Sequence, residues 1–348
     1  MDLHRPILRA AVVVAAALLS LAGPARAQHA GYRSLTIAGD TPTTVALYYP
    51  TAVADRAVPM GPWLPIVAPG AAASDAPLKG LILISHGTGG TELNHHDLAT
   101  RLAREGYLVA AVRHAGDNWQ DRSLIGSGRY FSERPRQLSR VLDALLASPE
   151  WGTRIPTERI GAVGHSAGGY SVLALAGAQA EAQRSMQHCR SVSDDPGYCA
   201  LARGGAVSEA PGAQAAPAAS AAIAAAPDTG TVAVPDRRIR AVVALAPMAV
   251  VFTPESLASI TVPVLVVVAE HDTVLNGKYH GGYVVANLPT AQATTAAGAG
   301  HFAFMAQPTF PLPSAAGDAS ANPPGFDRAV FLKSLDDQVA AFFAAAWR

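Results

Sequence analysis

Apolar and polar positions along this chain fall into two alternating kinds of segment. Short runs of apolar or alternating residues at Thr43–Tyr49, Leu81–Ser85, Tyr107–Val112, Arg159–Val163, Ile239–Ala246 and Pro263–Ala269 predict strands, with a weaker run at Ala291–Ala296. Between and after them, Glu92–Glu105, Glu133–Ala147, Ala167–Ala178 and Asp327–Ala346 carry apolar residues at helical spacing. Strand and helix patterns alternating in this way predict an α/β fold: a mostly parallel central sheet with helices on both faces. The earliest runs are expected to add an antiparallel hairpin at one edge.

Two stretches break the rhythm. Pro50 to Pro77 is rich in Pro, Ala and Gly and is expected to run over the surface. Arg203 to Pro235 is an Ala/Pro/Gly/Ser tract with little aromatic content, read as a mobile loop. With the cysteine-bearing piece before it, this tract forms an insert from about Gln179 to Asp236, either a cap over a site or a surface excursion.

The first 27 residues have a positive start (His4, Arg5, Arg9), an apolar centre from Ala10 to Leu21 and a small-x-small ending at Ala25-Arg26-Ala27. They read as a secretory signal peptide cleaved after Ala27, which predicts a periplasmic or secreted protein. The rest, residues 28–348, reads as one large domain with its insert. No later segment offers an uninterrupted apolar run of about 18 residues, so no stable membrane insertion is expected. Without the leader the net charge is about −2, and no basic excess is left to draw nucleic acid. Cys189 and Cys199 are the only cysteines; downstream of an export signal they predict one local disulfide. A metal site is not expected, because two cysteines with His188 fall short of a tetrahedral set.

The most informative motif is Gly164-His165-Ser166-Ala167-Gly168-Gly169, set between a strand pattern and a helix pattern. Glycines on both sides of Ser166 permit the tight turn that lifts a hydroxyl clear of a sheet, and the following helix directs its positive end at developing negative charge. Downstream, the apolar run Pro263–Ala269 delivers Glu270-His271-Asp272 to the end of the sheet, with Asp272 the expected acid and Glu270 its competitor. His301 follows Gly298-Ala299-Gly300 and has the near-neutral chemistry of a general base; His280 is less well placed. Upstream, Leu81–Ser85 runs into His86-Gly87-Thr88-Gly89-Gly90, whose backbone N–H at Thr88, with that of Ala167, is expected to form an oxyanion hole. That loop lacks a Gly-Lys-Ser/Thr ending, which argues against phosphate binding. The segment from Arg113 to Trp119 is expected at the site entrance, with Trp119 and Phe302 candidate substrate contacts. Trp119, Tyr130 and Phe131 are equally readable as packing residues.

These segments resemble the α/β-hydrolase superfamily, and more narrowly the exported bacterial dienelactone hydrolase-like esterases related to platelet-activating-factor acetylhydrolases. The resemblance covers roughly Leu81 to the C-terminus. It implies Ser166 as nucleophile, Asp272 as acid, His301 as base, and Thr88 with Ala167 as the oxyanion hole, with no cofactor. One departure stands out: dienelactone hydrolases use a cysteine nucleophile, where this chain has Ser166. The reading is a serine hydrolase of carboxylic esters, with short acyl chains and a small-molecule or lipid ester as substrate. A peptidase or amidase with the same triad is the rival within enzymes, and a non-catalytic binding protein on this scaffold the rival outside them.

Overall fold

A computed structural model describes residues 29–39, 41–203 and 230–348. The expected signal peptide and most of the Ala/Pro-rich tract lie outside the described residues. The central sheet has ten strands. In chain order they are β1 (His29–Ile37), β2 (Thr43–Thr51), β3 (Arg56–Ala57), β4 (Ile66–Pro69), β5 (Leu81–Ser85), β6 (Leu108–Arg113), β7 (Ile160–His165), β8 (Ala241–Leu245), β9 (Val264–Ala269) and β10 (Gln292–Ala296). Across the sheet the order is β10-β9-β8-β7-β5-β6-β2-β1-β4-β3. From β10 to β6 every pairing is parallel, whereas β2 pairs antiparallel with both β6 and β1, making the expected edge hairpin.

The near-continuous apolar runs follow from burial on both faces. Successive side chains of a strand point to opposite sides, and two cores result. Leu81 and Leu83 of β5 join Val45, Leu47, Leu108 and Ala110 in one; Ile82 and Ile84 join Ala46, Tyr48, Val109 and Ala111 in the other. The first core is closed by α2 (Tyr130–Leu146) and α3 (Ala167–Ala176), the second by α1 (His96–Arg104) and α8 (Arg328–Ala346). The last strand, β10, sits at the edge with four of its five residues exposed, which explains its weak apolar pattern.

Several elements depart from the sequence reading. Pro50–Pro77 does not simply run over the surface: β3 and β4 extend the sheet there, and Trp63 is buried. Helix α1 begins at His96 instead of Glu92, while α2 begins at Tyr130 instead of Glu133 and runs through Pro135. Proline has no N–H to give to the carbonyl four residues back. The hydroxyl of Tyr170 donates to that carbonyl, Phe131, at 2.8 Å, so the gap is filled from α3.

Within the insert, Ala180–Glu181 pairs antiparallel with Thr231–Val232, bringing the ends of the excursion together. Between them, among the described residues, stand two unforeseen helices, α4 (Ala182–Ser191) and α5 (Pro196–Ala202). Cys189 and Cys199 are joined across this hairpin with their Cα atoms 5.5 Å apart, the pairing expected of them. After the insert come two further short helices, α6 (Pro254–Ala258) and α7 (Gly281–Asn287). Among the described residues no helix is long and apolar enough to cross a membrane.

Candidate active site

The parallel strands β5, β7 and β9 point their carboxyl ends to one rim of the sheet, where open α/β sheets place their ligands. Ser166 stands directly after β7, with φ 57° and ψ −119°. A non-glycine residue at positive φ is strained and persists only where its surroundings hold it. Here the surroundings are close-packed. The Ser166 N–H donates to the Leu245 carbonyl at 3.0 Å, and its own carbonyl accepts from Met248 N–H and Tyr170 N–H.

The flanking glycines are required by contact as well as by turn geometry. A Cβ on Gly164 would lie 2.1 Å from the Gly168 carbonyl oxygen, and one on Gly168 would lie 1.9 Å from that of Ser85. Both obstacles are backbone, so neither position accepts a side chain without moving the turn.

His301, after β10, and Asp272, after β9, meet at the same rim. The Ser166 Oγ lies 3.0 Å from His301 Nε2, and His301 Nδ1 lies 2.8 Å from Asp272 Oδ2. With its proton on Nδ1, His301 donates to the carboxylate and leaves Nε2 to accept from the serine hydroxyl. The other carboxylate oxygen, Oδ1, accepts from the backbone N–H groups of Val274 at 2.9 Å and Leu275 at 2.7 Å. Asp272 therefore has fixed partners on both oxygens. Its competitor Glu270 is exposed and accepts from Gly298 N–H at 2.7 Å, away from His301. His280, the other histidine weighed from sequence, is buried elsewhere, 3.0 Å from Asp195.

Thr88 and Ala167 stand on adjoining segments, since a Cβ on Gly87 would meet the Ser166 Cβ at 3.2 Å. Neither N–H has a hydrogen-bond partner among the described residues. Thr88 Oγ1 lies 2.9 Å from the Tyr130 hydroxyl, and Gly89 N–H donates to Asp117 Oδ1 at 2.7 Å. Trp119 is 63% exposed, and its N–H donates to the Gly90 carbonyl, which keeps it beside this loop. Phe302 is half-buried next to His301, the two rings 5.4 Å apart. Tyr130 and Phe131 are buried and pack.

Sequence reasoning missed the supports beneath these groups. Arg134 and Asp117, both fully buried, form an ion pair; Arg134 also donates to the His86 carbonyl, and the Tyr130 hydroxyl donates to Asp117 at 3.0 Å. His86 accepts from His114 N–H on Nε2 and donates from Nδ1 to the Gly87 carbonyl at 2.6 Å. Burial and the Arg134 charge push both His86 and His114 well below the usual histidine range, so both are neutral. On the other side, His165 Nε2–H donates to the His301 carbonyl at 2.9 Å, and His95 Nδ1–H to that of Phe304 at 3.0 Å. Burial holds His95 down to about 4 and His165 well below its ordinary value. These neutral imidazoles fix the turn that carries His301. The only available signal was their position, since His86, His114 and His165 each end or follow a strand-like run.

A hydroxyl, an imidazole and a carboxylate in series, beside two unpartnered N–H groups, can carry out acyl transfer. Among the described residues, no group of three or more His, Cys, Asp or Glu is arranged to hold a metal ion.

No described protein family matches the chain, and no curated protein matches it. Among solved structures it is similar to a ferulic acid esterase from Streptomyces cinnamoneus, with a TM-score of 0.57 and 19% identity over 93% of this chain and 92% of that one. A dienelactone hydrolase from Anabaena variabilis matches with a TM-score of 0.49 and 14% identity, over 92% of this chain and 100% of that one. The chain has the α/β-hydrolase fold.

Proposed function

We propose that this α/β hydrolase is an exported serine esterase that cleaves carboxylic esters with short acyl chains through an acyl-enzyme. The observation that carries the reading is the hydrogen-bonded series Asp272–His301–Ser166, with the serine held at positive φ. In this reaction Ser166 Oγ attacks the ester carbonyl as His301 Nε2 takes its proton. Asp272 keeps the imidazole in the required tautomer and stabilises the imidazolium without accepting the proton. The N–H groups of Thr88 and Ala167 receive the negative charge that develops on the carbonyl oxygen. His301 then protonates the leaving alcohol, and a water activated by the same imidazole releases the acid. Trp119 and Phe302 flank the acyl or alcohol portion, and no cofactor takes part. The esterase activity named for the solved relative agrees with this chemistry. The N-terminal pattern and the disulfide support export to the periplasm or beyond.

Hydrolysis rates across a chain-length series of nitrophenyl esters, with a matched anilide, test the reading. Short esters are expected to turn over fastest and the anilide far more slowly. Ser166→Ala is expected to lower ester turnover by several orders of magnitude while leaving the fold intact. An anilide cleaved as fast as its ester indicates an amidase, and no turnover of any member indicates a binding protein on this scaffold.

A further inference from the structure

The stapled hairpin of the insert grips the turn that carries Asp272. Asp195, at the start of α5, is 2% exposed. Its Oδ1 accepts from Asn276 N–H at 3.0 Å, and its Oδ2 accepts from His188 Nε2–H at 2.8 Å and His280 Nε2–H at 3.0 Å. Asn276 also donates from its side chain to the Asp194 carbonyl at 2.6 Å. Gly197 lies against the same turn: a Cβ there would meet the Thr273 carbonyl oxygen at 2.3 Å. Residues 273–276 are thus held by Asp272 Oδ1, through Val274 and Leu275 N–H, and by α5.

The grip extends toward the serine. His280 Nδ1 accepts from Ala249 N–H at 3.1 Å, and the neighbouring Met248 N–H donates to the Ser166 carbonyl. Since Nδ1 is an acceptor, the His280 proton resides on Nε2, facing Asp195. The disulfide brackets the arrangement, with Cys189 next to His188 and the Cys199 N–H donating to the Asp195 carbonyl.

We propose that Asp195 is a positioning residue, holding the 273–276 turn so that Asp272 keeps its angle to His301. The α4–α5 hairpin then belongs to the catalytic apparatus without touching substrate. The inference rests on the esterase reading above. An acid whose turn is released still lies near the imidazole but no longer fixes its orientation, and misplacement by about 1 Å is enough to slow chemistry by two orders of magnitude. The effect falls on kcat, because nothing that contacts the ester has changed.

The test is kcat and KM for nitrophenyl acetate with the full chain, each variant first checked by its melting curve. Asp195→Ala is expected to lower kcat at least tenfold with KM within about twofold of wild type. Asp195→Asn is expected to do no better, because its amide N–H groups would face His280 Nε2–H, whose tautomer is locked by Ala249. His280→Gln keeps a donor toward Asp195 and retains most of kcat, whereas His280→Leu loses it. Gln187→Ala, exposed on α4, leaves kcat unchanged. If Asp195→Ala does not fold, the His280→Gln and His280→Leu pair decides the matter. An active wild type with Asp195→Ala at full kcat and only a lower Tm overturns this assignment alone, as do equal losses in the two His280 variants. A wild type without esterase activity overturns the esterase reading and this assignment with it.

Discussion

Replacing Arg134 with Met leaves the Asp117 carboxylate buried without its cation. Both side chains are 0% exposed, so water cannot rescue the charge. Removing one member of a buried ion pair costs on the order of 3–5 kcal/mol, since the desolvation of the remaining ion is no longer offset. Arg134 also gives up its donations to the His86 carbonyl and to Ser171 Oγ. A cost of about 4 kcal/mol is expected for Arg134→Met, and a similar one for Asp117→Asn, which strands the guanidinium. Combining the two removes both charges and leaves only the lost bonds to two neutral acceptors, the His86 carbonyl and Ser171 Oγ, each about 1 kcal/mol. The double variant should therefore cost about 2 kcal/mol, less than either single, with a coupling of several kcal/mol. Urea unfolding of the wild type and three variants measures all four stabilities. Each single variant should also lose turnover while still folded, because Asp117 holds Gly89 N–H beside Thr88. Costs that simply add, with activity unchanged in the folded singles, would refute the claim that this pair is a buried unit supporting the Thr88 loop.

Three other outcomes are expected. Asp272→Asn should lower kcat/KM by several orders of magnitude, whereas Glu270→Gln, which only exchanges an exposed contact to Gly298, should stay near wild type. If Glu270→Gln is the crippled enzyme, the acid has been misassigned. Opening the Cys189–Cys199 bridge, seen as a gain of two hydrogens in intact mass, should cost about 3 kcal/mol for a loop closed over a sequence separation of 10, and free thiols in protein purified without reductant would contradict it. Burial and the nearby Asp97 push the Asp336 carboxyl up to about 8; the folded state thus holds that proton more tightly than the unfolded chain, and stability declines as pH rises from about 4 toward 8. Asp336→Asn, neutral throughout, should melt above wild type at pH 8 and near it at pH 4, and an equal difference at both pH values would sink the argument.

The parts of the fold legible in the sequence are those whose cause is local. Leu81–Ser85 and Val264–Ala269 are buried on both faces, and a strand in that position can only be an apolar run. Gly164 is equally local, since a Cβ there would clash with the Gly168 carbonyl four residues on, whereas Gly168 is required by the distant Ser85 carbonyl. What stayed hidden depends on distant partners. Trp63 and the β3–β4 pair sit in a Pro-rich stretch that looks like loop until β1 is there to receive it. Pro135 reads as a helix breaker until Tyr170 supplies the missing donor. Arg134 reads as one more polar position on a helix, and only the folded chain sets it against Asp117 and His86. The same holds for Asp195, whose three partners come from two segments, one of them 81 to 85 residues further along the chain.

The central claim, that Ser166 is a nucleophile activated by His301, is tested most directly by a fluorophosphonate probe followed by peptide mapping. In active wild-type protein one label per chain is expected, on Ser166, with labelling abolished in Ser166→Ala and strongly slowed in His301→Ala. Labelling of a different serine, or none in protein that turns over ester, would contradict it.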